Sequence, residues 1–146
     1  MTQPNRRALF MSLSCFAGLA LLACGTSVDA AQLLRDGSDE SEIWDNRTQP
    51  EVPEGEQRLS ASWFGDDETD ALDINDEVLL RLESNGFEVS CEEPGQQPDT
   101  GAPLVECTFT GPDVAGTYTV QGGGPAPEDF NTDGIAIFLT SSIFAT

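Results

Sequence analysis

Val78-Leu79-Leu80-Arg81-Leu82-Glu83-Ser84-Asn85-Gly86-Phe87-Glu88-Val89-Ser90-Cys91 carries two incompatible patterns, and the fold class turns on which one the chain obeys. Read with a period of two, Val78, Leu80 and Leu82 alternate with Leu79, Arg81 and Glu83. Phe87, Val89 and Cys91 then alternate with Glu88 and Ser90. Asn85-Gly86 between the two runs is the strongest two-residue hairpin signal, because both residues accept positive φ. That loop sets Leu82 opposite Val89 and Leu80 opposite Cys91, so register and apolar pattern agree. Read with a period of 3.6, Ile74, Val78 and Leu82 share one helical face from about Asn75, and Ser84-Asn85-Gly86 is a helix stop. The matching register favours the hairpin. The helix near 75–84 is the alternative, and it would make the chain α+β.

Strand signals surround this stretch. In Arg58-Leu59-Ser60-Ala61-Ser62-Trp63-Phe64, apolar and polar residues alternate until Gly65. Leu104-Val105-Glu106-Cys107-Thr108-Phe109-Thr110 is β-branched and aromatic, and Gly111-Pro112 ends it. Gly116-Thr117-Tyr118-Thr119-Val120 is a further strand. The apolar run 135–139, continuing to Ile143-Phe144, suits a strand buried on both faces. Residues 94–103 form a Pro/Gly/Gln loop. Short strands separated by turn residues predict a mainly β chain, folded as a small antiparallel sandwich over residues 58–146. Asp113-Val114-Ala115-Gly116-Thr117-Tyr118 resembles the tyrosine corner of immunoglobulin-like domains. The resemblance implies an immunoglobulin-like sandwich in which Tyr118 hydrogen-bonds to backbone just upstream. The cysteine pair and core Trp of that family are not at their usual places, since Val120 stands where its second Cys would.

At the front, Arg6 and Arg7 precede an apolar run over residues 8–23, with no acid before Asp29. The run is shorter than the roughly 20 residues that span a bilayer core, so it predicts a cleaved export signal over residues 1–23. Leu21-Leu22-Ala23-Cys24 resembles the lipobox of bacterial lipoproteins, with Leu22 bulkier than usual at its position. The resemblance implies a diacylglyceryl thioether on Cys24, cleavage before it and acylation of the new amino group. Gly25, in place of an Asp, implies sorting to the outer membrane. Asn5-Arg6-Arg7 also resembles a twin-arginine export signal. Residues 24–57 are rich in Asp, Glu, Pro, Gly and Ser, and predict a disordered acidic linker between anchor and domain. Ile43-Trp44 is the one apolar pair in it able to dock back.

Composition narrows the function. The chain has 26 acids, six Arg, no Lys and no His, for a net charge of −20. Such a chain offers no cationic patch to nucleic acid or anionic lipid. It also lacks the usual base for a Ser or Cys nucleophile and the commonest zinc ligand. With Cys15 lost in the signal and Cys24 acylated, Cys91 and Cys107 remain as a disulfide pair, with two buried free thiols, or one metal site made of Cys plus carboxylates, as the alternative.

Asp129-Phe130-Asn131-Thr132-Asp133-Gly134 matches the core of a calcium loop, with Asp129, Asn131 and Asp133 as hard oxygen ligands. The bidentate Glu of an EF-hand is missing, because Thr140 stands at its position. The alternative is a polar turn. The acidic cluster Asp66, Asp67, Glu68, Asp70, Asp73, Asp76 and Glu77 is a second place for a metal or a carboxylate pair, against a plain solvated loop. The sequence therefore predicts a non-enzymatic envelope lipoprotein, a binding or scaffolding module for a basic envelope protein. A calcium-dependent or carbohydrate-active module is the alternative.

Acidity without Lys also matches salt-adapted surfaces, where self-repulsion opposes compaction in dilute buffer. The melting temperature is accordingly expected to rise as NaCl is added over roughly the first molar, as screening shortens the reach of each charge. A flat or falling melting temperature contradicts this.

Overall fold

The computed structural model describes residues 29–65, 70–125 and 135–146. The chain is mainly β. Among the described residues, seven strands form one antiparallel sheet, accompanied by two helices. In chain order these are α1 (Ala30–Arg35), β1 (Glu40–Asp45), β2 (Glu56–Gly65), α2 (Ala71–Ser84), β3 (Glu88–Cys91), β4 (Gly95–Gln96), β5 (Pro103–Thr110), β6 (Val114–Pro125) and β7 (Ile135–Ala145). Across the sheet the order is β1-β2-β7-β6-β5-β3, and β4 also pairs with β5. The chain makes the β1–β2 hairpin, crosses through α2 to the far edge and returns as a meander. Its last strand, β7, closes the gap by pairing with both β2 and β6.

The stretch that decides the fold is a helix up to Ser84 and a strand only from Glu88. Its ends explain why. Asp70 is the N-cap, and its Oδ1 accepts from the amides of Leu72 at 2.7 Å and Asp73 at 3.0 Å. Asp73 Oδ2 accepts from the Asp70 amide in return, completing a capping box. At the other end the Phe87 amide donates to Leu82 O, and that of Gly86 to Glu83 O. Gly86 has φ +86°. This is a Schellman motif, with the buried side chains of Phe87 and Leu82 completing it. The same two residues, Asn85 and Gly86, that mark a hairpin turn here cap a helix. The helical stripe buries Ala71, Ile74, Asn75, Val78 and Leu82, while Leu80, inward in the hairpin reading, is 64% exposed.

With its strands in one sheet and the helices supplying the second layer, the chain is not the immunoglobulin-like sandwich expected from the sequence. α2 lies against β3, β5 and β6, and α1 against α2 and β2. Between helices and sheet sit Leu59, Ala61 and Trp63 of β2, Val105 and Phe109 of β5, Tyr118 and Val120 of β6, and Ile137, Leu139 and Ile143 of β7. The alternation read in residues 58–64 holds. β7 is buried on both faces only where it starts, at Ala136 and Ile137; from Phe138 on, its outer positions are half-buried or exposed.

Residues 30–57 also depart from the expected linker. Asp29 caps α1 by accepting from the amides of Ala31 and Gln32, and Leu34 is fully buried. Ile43 and Trp44 lie in β1, opposite Leu59 and Arg58. High local charge did not prevent folding, because period-two alternation let Glu40 and Glu42 point outward while Ile43 points in. Arg81 of α2 ties α1 down, with its Nε donating to Leu33 O at 3.0 Å.

Gly116 has a steric reason to be glycine. A Cβ there would collide with the Ser142 carbonyl oxygen and sit 2.6 Å from Phe109 Cζ, the ring on the neighbouring strand. Gly116→Ala is expected to destabilise the fold by about 1–3 kcal/mol through overpacking. A lower urea midpoint at unchanged slope is the expected readout.

Candidate functional site

The two faces of the sheet are chemically opposite. The face under the helices is apolar. On the other, alternation places Ser60 and Ser62 of β2, Thr140 and Ser142 of β7, Thr117 and Thr119 of β6, and Thr108 and Thr110 of β5. These come from four strands, each with a hydroxyl-x-hydroxyl spacing. The registers align them into rows across the sheet. One row runs Glu42, Ser60, Thr140, Thr119, Glu106. The adjacent row runs Trp44, Arg58, Ser142, Thr117, Thr108. Each thus has hydroxyls on its central strands, β7 and β6.

Most of these hydroxyls have no partner within the described residues. Thr108 Oγ1 donates to Ser90 O at 3.4 Å, but Ser60, Thr117, Thr119, Thr140 and Ser142 make no side-chain hydrogen bond there. Trp44 and Arg58, with Thr117, Thr119 and Thr140, line a shallow trough of about 350 Å³. Beside it, Asp39, Glu40, Glu42, Ser60 and Ser62 line a second hollow of about 530 Å³. Arg58 is the only basic residue in any described strand. Its Nε meets Glu56 Oε1 at 2.9 Å, so its charge is already matched. Glu40, Glu42, Glu106, Glu88 and Glu92 are exposed and unpaired toward this side, leaving the face negative. An array of free hydroxyls bordered by carboxylates can hydrogen-bond an extended ligand and attract cations.

The cysteines form a disulfide across the edge of the sheet. Cys91 and Cys107 stand directly opposite each other on β3 and β5, with Cα atoms 4.0 Å apart. The flanking Glu92 amide donates to Glu106 O, which makes Cys91/Cys107 a non-hydrogen-bonded pair, the kind whose side chains lie closest. The bridge joins positions 16 apart in sequence and contributes roughly 3 kcal/mol in the chain-entropy account. Cys107 is buried under α2, with its Sγ 3.5 Å from Asn75 Oδ1. A bonded sulfur has no proton to give, so this is a packing contact.

Tyr118 does not form the expected corner. It stands in the middle of β6, 1% exposed, its ring tilted against Phe109. Its hydroxyl points at Cys91 Sγ, 3.9 Å away, instead of at upstream backbone. Burial pushes the phenol well above its ordinary range, and the negative charges of Glu83 and Asp76 on α2 push it further.

The described part of the acidic cluster serves the helix. Asp70 and Asp73 bind its first amides, and Glu77 lies 3.7 Å from Arg81 Nη1. No group of three or more His, Cys, Asp or Glu side chains converges among the described residues. Cys24, the acids at 66–68, and Asp129, Asn131 and Asp133 lie outside them. The sequence reading singled out neither the hydroxyl face nor its rim. The repeated Thr-x-Thr and Ser-x-Ser spacing was its visible signal.

The raised phenol has a consequence for pH. The unfolded chain ionises Tyr118 near pH 10, while the folded chain holds the proton longer. Its contribution is thus complete below about pH 10 and is lost as pH rises further. With a single Tyr and no Lys, the alkaline limb isolates this group. Stability is expected to fall above about pH 10 with a slope approaching one proton. Tyrosinate absorbance should appear only with unfolding, and Tyr118→Phe should flatten the limb. No protein-family model and no curated protein sequence matches this chain.

Proposed function

We propose that the protein is a non-enzymatic binding module of the bacterial cell envelope, held at the membrane by an acylated Cys24. The observation that carries the binding role is the one-sided build of the sheet. The helices pack against one face, while the other keeps a row of hydroxyls without partners between carboxylates. Folding does not require those hydroxyls to be arrayed so regularly, and an opposing surface can use them all at once. The net charge of −20 favours a basic partner over nucleic acid or anionic lipid.

The anchor rests on the lipobox resemblance of residues 21–24, and outer-membrane sorting on Gly25. Several acyl chains on one residue, each buried CH₂ worth about 0.8 kcal/mol, give an attachment that does not readily release. The disulfide suits the oxidising side of the inner membrane. A second reading, a carbohydrate-binding module, is favoured by Trp44, whose ring flanks the trough where a sugar would stack.

Metabolic labelling with palmitate tests the anchor. The natural chain should take up label and fractionate with membranes. Cys24→Ser should lose both while keeping the Cys91–Cys107 bridge. Label retained in the variant overturns the anchored reading.

A further inference from the structure

We propose that the row Glu42, Ser60, Thr140, Thr119, Glu106 is the docking site for an extended, cationic protein segment, with basic side chains at its two ends and small polar residues between. This deepens the binding role proposed above and rests on it.

The occupant follows from the charge and the spacing of the row. Four steps between adjacent strands, at about 4.8 Å each, separate Glu42 from Glu106 by about 19 Å. An extended peptide advances about 3.3 Å per residue, so this is a span of about six residues. Side chains six apart point to the same side of such a segment. Two Arg at that separation therefore reach both carboxylates together. Between them lie only Ser60, Thr140 and Thr119, whose small side chains let a backbone approach and whose free hydroxyls can donate and accept.

Trp44 borders the Glu42 end, two residues along β1, where its ring face can receive a guanidinium. Arg58 in the adjacent row does not repel the segment at full strength, because Glu56 is bonded to it. Glu40 beside Glu42 and Glu92 beside Glu106 extend the negative ends. A second copy of this chain is excluded as occupant by the same field, since each copy carries −20.

The test uses the full chain and a synthetic peptide, acetyl-Arg-Thr-Ser-Thr-Ser-Thr-Arg-amide. NMR titration follows the amides of the described strands. The peptide should shift Ser60, Thr119 and Thr140 and leave α2 unmoved. Glu42→Gln with Glu106→Gln should weaken binding on the order of fivefold, the effect of two exposed ion pairs. Asp76→Asn with Glu83→Gln removes the same charge from α2 and should change affinity less than twofold.

Equal weakening by both double variants would show a diffuse field and overturn the site. So would equal binding by the peptide with Gln in place of Arg, or no shifts at all. Shifts of the same amides by a neutral oligosaccharide, with none from the peptide, would assign the face to glycan instead. All four substitutions are at exposed positions, and near-ultraviolet dichroism confirms that each variant is folded. Palmitate labelling of Cys24 is independent of this row, so a failed titration with a labelled anchor removes only the site.

Discussion

β7 holds the sheet together. On one side are β1 and β2; on the other are β3, β4, β5 and β6. The only described strand that pairs with both groups is β7, which is bonded along most of its length to β2 and to β6. Each half alone would present a long unsatisfied edge, β2 on one side and β6 on the other. Ile137, Leu139 and Ile143 then supply the middle of the core. Everything described for the outer face also depends on this strand. Thr140 and Ser142 complete rows that would otherwise break between Ser60 and Thr119, or between Arg58 and Thr117.

Much of the sheet was legible in the sequence because period-two alternation is a local signal. The strands at 58–64, 104–110 and 116–120 read correctly, and so did the apolar run that became β7. The helix was misread for a reason that is also local. Asn85-Gly86 supplies a positive-φ glycine, and both a hairpin turn and a Schellman cap require one. What decided between them lay at Asp70 and Asp73, a full helix length away. The cap competed with a reading of those acids as metal ligands. Single layer or sandwich was not legible at all, because it depends on where α2 lies and not on any strand.

The candidate site was legible in its parts and hidden in its assembly. Thr108-x-Thr110, Thr117-x-Thr119, Thr140-x-Ser142 and Ser60-x-Ser62 are visible in the chain as four separate pairs. Only the strand order and the registers turn them into continuous rows. The acids at 40 and 42 looked like linker chemistry because charge density was weighed ahead of alternation. In β1 the two demands are compatible: Glu40 and Glu42 face water and Ile43 faces the core. Charged residues on an edge strand also discourage another chain from adding to it by accident. The Cys91–Cys107 bridge was reached by elimination, yet its position at a directly opposed pair on β3 and β5 came only from register.

The placement of β7 bears on how the protein is made. Its sheet partners in β2 precede it by most of a domain's length of chain, so the pairing that joins the two halves is among the most distant in sequence. Such contacts are slow to form, because a long loop must close before they return any energy. A ribosome emits β7 after every other described element. Until then one edge of β2 and one edge of β6 lie open, and Leu59, Ala61 and Trp63 lack their neighbours on β7. The two halves become a single body only when that strand joins them.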